Sequence, residues 1–526
     1  MRKIFFFRLL DFLLLFSLLL LCFAFFGCEV SGSNADLVRG AATGGNADDH
    51  QNEVNAGDSG NGADDDDDPG NDHSNYCRVK NVSIQAIPEG NPLARRMLVA
   101  TDNDCEISGR VVSDELPGEG LSSPAVSNSG TSHSFWFFGL AEKTTYWYEF
   151  FSPTDPDTVL ARGRFNVPSL PEAVLRPTNV KVTRQATSDT WVAITLPYHD
   201  GYAALEILDR EGRIRFFHPI QMPYPVISIT NLLSSVADDR LVITNRNTLL
   251  LIDREGNEEA FATQLNSPLY VPLHHQSFLA DDLSWGLILF NRPQSGWDCS
   301  LESPSDNVIT DGVAEIDQNG NEVWRWSVAD HPDEIPLDVP GEFCMENVWG
   351  VNTVDWTHAN SVYPTDDGAA FIVSMRNLSR VIKVERGSGK ILWQLGEGLD
   401  FQWSGPAAAD HTWFRAQHDA QPLPDGHILL FDNDGPTTYN SRALELKIDE
   451  ETHRVTTVWE FLTPYSPFTG SVHRLENGNT LISAGQANRL YEVNDEGQAV
   501  WTADFDYADC WIYAAHPFPA QWVEGD

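Results

Sequence analysis

Short apolar runs separated by polar, turn-forming residues recur along the chain, and helix-period stretches are scarce after the first thirty residues. The runs have the length of strands, are rich in β-branched and aromatic residues, and are bounded by Gly, Asn, Asp or Pro. The pattern predicts an all-β protein. Short strands alternate at 79–86, 97–101, 134–138, 146–151 and 162–167, which suits a small β-sandwich over residues 75–170. From about residue 177 onward one phrase repeats: an apolar strand, a tight turn with Asp or Asn and Gly, then a strand that often holds Trp. It stands at 205–212, 250–256, 314–326, 382–393, 444–459 and 491–501. The turn residues are those a short hairpin needs, and the Trp fills space between sheets. Such spacings exclude a solenoid of short units and suit one four-stranded blade per repeat. Six blades closed in a ring make a β-propeller over residues 177–520, with 327–349 inserted between blades.

A second pattern lies on this one. Leu273-His274-His275-Gln276, Asp355-Trp356-Thr357-His358-Ala359-Asn360-Ser361 and Ala416-Gln417-His418-Asp419-Ala420 each lead through a turn to an apolar strand ending in polar groups. These groups are Asn291-Arg292, Ser374-Met375-Arg376 and Asp432-Asn433. If each unit forms the strand nearest the axis, ring closure brings His275, His358 and His418 to one mouth of the channel, with Asn360 and Arg376. Neutral and positive donors of this kind suit a tetrahedral oxyanion, which Arg can grip by two oxygens. The plainer alternative is a buried, hydrogen-bonded polar turn. His411, His427, His453 and His473 are expected at the surface or in turns, and Asp419 on a solvated strand edge.

Leu140 followed by Thr144-Thr145-Tyr146 resembles the signature of fibronectin type III domains, in which the Tyr closes a corner between sheets. The larger region resembles the bacterial arylsulfate sulfotransferases. The residues are Asp355-Trp356, His358, Asn360-Ser361, Arg376, Gln417-His418 and the phrase from Gly470-Ser471-Val472-His473 to Leu481-Ile482-Ser483. That resemblance, over roughly 75–515, implies an exported enzyme independent of PAPS, with a small β domain and a six-bladed propeller. It implies transfer of a sulfuryl group from an aryl sulfate to a phenol by a ping-pong mechanism through a sulfohistidine. It makes His418 the nucleophile and His358, Asn360 and Arg376 the oxyanion-binding set. The remaining histidine falls in the His274-His275 pair; His275 keeps the better register, and His274 is left as a substrate-binding position. Neither a metal nor another cofactor is implied. The chain departs from the family where Ile512-Tyr513 is followed by Ala514-Ala515-His516 rather than an Arg.

Composition narrows the partners. The net charge is −42 with no basic stripe, which excludes nucleic acid as a partner. Met1-Arg2-Lys3 and an apolar run to Gly27 form a leader, and Phe26-Gly27-Cys28 resembles a lipobox. The chain is therefore expected in the cell envelope, lipid-anchored through Cys28, with residues 29–74 as a disordered acidic tether. Pairing into a homodimer is left open. Export favours disulfides, with Cys77–Cys105 and Cys299–Cys344 as the sequence-local pairs and Cys510 left over. Gly387-Ser388-Gly389-Lys390 lacks the first Gly and the following Ser or Thr of a phosphate loop, and reads as a hairpin turn. The rival class is a non-catalytic envelope propeller, a scaffold or a quinoprotein-like binder. The anchor is tested directly: Cys28→Ser is expected to abolish incorporation of labelled fatty acid and to release the protein from membranes. Unchanged membrane association would instead indicate an uncleaved leader.

Overall fold

A computed structural model describes residues 77–87, 90–116, 120–122, 130–170, 180–184, 190–196, 202–221, 233–237, 240–245, 248–262, 270–279, 285–291, 308–335, 344–345, 353–404, 413–435, 439–506 and 511–520. The expected leader, lipobox Cys28 and tether lie outside them, as do Arg292, Cys299, His411 and Cys510. Among the described residues the regular structure is strand, apart from two single 3-10 turns, Val328–Asp330 and Gly485–Ala487.

Two sheets come first. One joins Val79–Ala86, Arg95–Cys105 and Gly130–Phe137; the other joins Gly120–Ser122, Ser108–Val112, Thr145–Ser152 and Asp155–Asn166. Strict alternation along Arg95–Cys105 sends Met97 and Val99 inward against Val111, Phe135 and Phe150. The Tyr146 hydroxyl accepts a hydrogen bond from the Ala141 N–H at 2.9 Å, which closes the corner. Cys77 and Cys105 form a disulfide. The apolar core of these sheets runs on into Val192, Ile194 and Leu208, so the sandwich is packed onto the first blade.

Six further sheets of four or five strands follow, all antiparallel in their four-stranded part. Their innermost strands are Ala514–Phe518, Leu233–Ala237, Tyr270–Leu279, Ala359–Pro364, His418–Pro422 and Ser471–Arg474, taken from blade 1 to blade 6. Each of the last five packs beside the next, and the strand of blade 6 packs beside that of blade 1, although the strand of blade 2 meets blade 1 through Trp191–Leu196. This is the expected all-β, six-bladed propeller. Each of the six phrases seen in the sequence is the hairpin from the third to the fourth strand of one blade. In blades 1, 2 and 3 an Asp (Asp209, Asp253, Asp317) accepts from the amides two and four residues on, and a glycine closes the turn. Those glycines, Gly212, Gly256 and Gly320, have φ of 78°, 84° and 81°, which a side chain would disfavour. Gly387-Ser388-Gly389-Lys390 is the same hairpin in blade 4, between Arg380–Glu385 and Ile391–Leu395. The stretch 327–349 is described in part: Val328–Asp330 and buried Ile335 cover the apolar cluster between blades 3 and 4.

The ring is closed twice. The C-terminal strand Ala514–Phe518 pairs with Trp191–Leu196 as the inner strand of blade 1, and Val180–Arg184 pairs with Ala499–Phe505 as the outer strand of blade 6. A buried ion pair locks the same seam. Arg210 meets Glu492 at 2.7 Å, its guanidinium lies 4.7 Å over the Trp501 ring, and the Trp501 indole N–H donates to the Arg210 carbonyl at 2.9 Å. Removing one member of a buried pair leaves the other uncompensated. Glu492→Gln should therefore destabilise the propeller by about 3–5 kcal/mol, read as a lower denaturant midpoint. A loss below about 1 kcal/mol would mean that the pair contributes little beyond packing.

Candidate active site

Three neighbouring inner strands break register where their histidines stand. The shifts fall between Leu273 and Ser277, between Ala359 and Ser361, and between His418 and Gln421. His275, His358 and Asp419 have left-handed backbones there, with φ of 54°, 47° and 55°. Such conformations are costly for residues with a side chain, and a bulge re-aims the side chain it carries. The irregularity is what turns these rings together at one end of the channel.

His275 and His358 meet edge to face with ring centroids 5.0 Å apart, and the Tyr513 ring lies 6.2 Å from His275. The Arg376 N–H donates to the His358 carbonyl at 3.1 Å, so the hairpin returns Arg376 to His358 as its length implies. The guanidinium is fixed by Asn377 Oδ1 at 2.9 Å and the Pro467 carbonyl at 3.1 Å, and lies 5.4 Å over the Phe468 ring. Asn360 donates to the Gln417 carbonyl at 2.7 Å, while its Oδ1 is buried without a protein partner. Gln417 itself turns away, its amide donating to Ser374 Oγ and to the carbonyls of Met375 and Arg380.

The state of His418 follows from its partner. Asn433 donates its amide N–H groups to the carbonyls of Ser466 and Thr469, at 2.6 and 3.1 Å, so its Oδ1 is the free acceptor. His418 Nδ1 lies 2.7 Å from that oxygen and must therefore be the donor. The Nε2 lone pair is left over. Burial, and then the charge of Arg376, hold the His418 imidazole neutral, with a pKa down to about 3.

His274 is held between His275 and Asp311. Its Nδ1 is 2.6 Å from His275 Nδ1 and its Nε2 is 3.1 Å from Asp311 Oδ1. Asp311 Oδ2 in turn accepts from the Thr357 hydroxyl at 2.6 Å and from the Ala359 N–H at 2.5 Å. Asp419 departs from expectation. It is buried rather than solvated and points away from His418, accepting from the Tyr363 hydroxyl at 2.5 Å and the Val472 N–H at 2.9 Å. Burial pushes its carboxyl pKa up. His473, expected at the surface or in a turn, is packed 4.7 Å from the His516 ring in the channel. His427 meets Glu445 and Asp425 beside the hairpin of blade 5, and His453 stands in a turn. Both nearby carboxylates are tied to donors of their own, and burial holds the His275 and His418 rings neutral beside Arg376.

Asp311, Asn433 and Tyr513 were not singled out as site residues from the sequence. A signal existed for Tyr513, which directly precedes the inner strand of blade 1 as His358 precedes that of blade 4. Asn433 was visible as the polar end of its strand. Asp311 carries no local signal, since it meets His274 across the sheet of blade 3 and Thr357 only once blades 3 and 4 are side by side.

A six-bladed propeller whose inner strands bring His275, His358 and His418 beside Arg376 defines the class. The arylsulfotransferase (ASST) family profile matches residues 179–509, more than half of the chain, and the protein belongs to that family. The arylsulfate sulfotransferase AssT of Escherichia coli O6:H1 (strain CFT073) is 27% identical over 177 residues, 26% of this chain and 29% of that protein's length. The match thus spans less than a third of the relative. Among solved structures, a protein of unknown function from Bacteroides caccae superposes with a TM-score of 0.39 at 12% identity, covering 63% of this chain and 99% of that one. The β-propeller domain of Cps50 (Swd1) from Myceliophteria thermophila gives 0.32 at 12% identity, covering 62% and 88%. Both likenesses are loose.

The buried imidazoles have a consequence for stability. Burial holds His418 and His516 down to about 3, His473 to about 4, and His275 well below its ordinary value. In the unfolded chain each would titrate near about 6.5. The unfolded state therefore binds protons that the folded state refuses, and the stability present above about pH 6.5 is lost as the pH falls. At pH 5 the loss is up to about 2 kcal/mol for each group. Denaturant midpoints should drop steeply between pH 7 and 5, and less steeply in His473→Gln. A flat profile would contradict the buried neutral state.

Proposed function

We propose that the protein is an arylsulfate sulfotransferase that carries a sulfuryl group from an aryl sulfate to a phenolic acceptor, through a covalent sulfohistidine at His418. The observation that carries this reading is the pairing of His418 with Asn433, which commits Nδ1–H and leaves Nε2 as a neutral, buried nucleophile. Family membership supports it. In the first half-reaction Nε2 attacks sulfur, the S–O bond to the aryl group breaks, and the phenol leaves. In the second, a phenol oxygen attacks sulfur and His418 is regenerated. Charge on the three non-bridging oxygens is met by Arg376, with Asn360 and the flanking histidines around it. Phe468, part-exposed beside Arg376, offers an apolar surface for an aryl ring. One of the flanking imidazoles must move the phenol's proton. We place the enzyme outside the cytoplasm, anchored through Cys28.

The chemistry is tested with p-nitrophenyl sulfate. Without acceptor, the protein should gain one sulfuryl mass on the peptide containing Gln417-His418, and phenol should remove it. His418→Ala should abolish labelling and turnover. Arg376→Ala should lower kcat by about 10²–10³, and Arg376→Lys by less, since Lys keeps the charge but not the two-pronged grip. Labelling retained in His418→Ala and lost in His358→Ala would exchange their roles. No label and no turnover in the native protein would remove the enzyme reading.

A further inference from the structure

His274 and Asp311 are buried, polar and joined to the site, yet neither has a place in sulfuryl transfer as set out above. His275 raises the opposite difficulty. It stands where a proton must be handled, but burial and the positive or ionisable neighbours around it (His274, His358, His418 and Arg376) hold its pKa well below the ordinary value. Tyr513 is the other titratable group beside it, and burial keeps that phenol protonated. An isolated imidazole in this setting would not keep a proton to give.

We infer that Asp311, His274 and His275 form a proton relay in which His275 is the acid–base group of sulfuryl transfer and His274 holds the proton between turnovers. The inference rests on the reading of His418 as sulfuryl carrier. The geometry is a chain of three. Asp311 Oδ1 lies 3.1 Å from His274 Nε2, and His274 Nδ1 lies 2.6 Å from His275 Nδ1. A carboxylate can only accept, so His274 Nε2 carries a hydrogen in every state. The contact between the two Nδ1 atoms needs one hydrogen, and that hydrogen can sit on either ring. With it on His275, both rings are neutral and His275 Nε2 is a base. With it on His274, that ring is an imidazolium against Asp311, and His275 carries its own hydrogen on Nε2 as an acid. The positive charge is thus moved one ring away from Arg376 and toward a carboxylate held by Thr357 and the Ala359 amide.

The balance closes over one turnover. In the first half-reaction the S–O electron pair stays with the leaving phenolate oxygen, which takes the proton from His275 Nε2. His275 Nδ1 then takes the proton from His274 Nδ1, and both rings are neutral while sulfur is bound to His418. In the second half-reaction the acceptor phenol gives its proton to His275 Nε2 as its oxygen attacks sulfur. The hydrogen between the rings passes back to His274, and the starting state is restored. His274 and Asp311 touch no substrate; they are positioning residues acting through His275.

The experiment compares two donors in single-turnover release of phenol, in the full protein without acceptor. The nitrophenolate of p-nitrophenyl sulfate departs readily without a proton, whereas the phenolate of phenyl sulfate does not. In His274→Gln the amide can still donate to Asp311 and accept from His275 but cannot carry the proton; Asp311→Asn removes the counter-charge. Each variant is expected to slow phenyl sulfate by about 10²-fold or more, the usual scale of acid–base assistance, and p-nitrophenyl sulfate by only a few-fold. Equal slowing of both donors in His274→Gln would overturn the relay and leave a structural role. Should Asp311→Asn fail to fold, His274→Gln decides alone. These outcomes are separate from failure of the sulfohistidine, which would show as absence of label in the native protein with either donor.

Discussion

The structure depends on the antiparallel pairing of Ala514–Phe518 with Trp191–Leu196. A propeller blade buries its faces only against its neighbours, so an open ring would leave the first and last sheets each with an apolar face in water. Pairing the end of the chain with its first blade removes both. The outer pairing of Val180–Arg184 with Ala499–Phe505 repeats the closure at the rim, and Arg210, Glu492 and Trp501 fill the seam between. Everything at the channel mouth follows. His275, His358, His418 and Tyr513 come from four blades and share a site because the ring admits no other spacing.

Much of the fold was legible in the sequence for a local reason. The Asp-x-x-Gly turn needs a side-chain acceptor and a positive φ within four residues, so Asp209 with Gly212, Asp253 with Gly256, and Asp317 with Gly320 announce themselves. The same counting found six blades, and a hydrophobic strand before each turn gave the register. The meeting of the three histidine units was legible because pseudo-symmetry converts a repeated local pattern into a shared place. What escaped was pairwise and non-local. The direction of the Asp419 carboxyl depends on Tyr363 and Val472, one from each adjoining blade, and a strand-edge Asp next to a histidine gives no hint of it. Likewise His473 reads as a polar residue on a short strand, and nothing local shows that it packs against His516 on the inner strand of the neighbouring blade. His274 shows the limit within a single dipeptide. Alternation says that two adjacent histidines on a strand face opposite ways; at the break in register both rings touch each other, and His275 meets His358 while His274 meets Asp311.

Electrostatics then divides the work. Asp311 and Asp419 accept from hydroxyl and amide donors, and burial keeps His275 and His418 neutral. In the proposed reaction, Arg376 is the charge that the sulfuryl oxygens meet. The arrangement draws its strength from low dielectric, where a fixed cation acts more strongly than it would in water. Its guanidinium is placed by Asn377 Oδ1 and the Pro467 carbonyl, against the Phe468 ring.

The left-handed backbone at His275 and His358 sets fold and site at odds in a way that bears on evolution and design. At such φ values glycine is comfortable and asparagine tolerable, while an imidazole-bearing residue carries strain. Any search for a sturdier propeller, by drift or by a designer ranking sequences on stability, would be drawn first to replace these residues with glycine. Each replacement would relax the strand and delete a ring from the pocket. In a population of such propellers, histidine retained at both left-handed positions is thus a mark of selection for chemistry over sturdiness. On the proposed reading, glycine at either would mark a descendant that kept the scaffold and gave up the reaction.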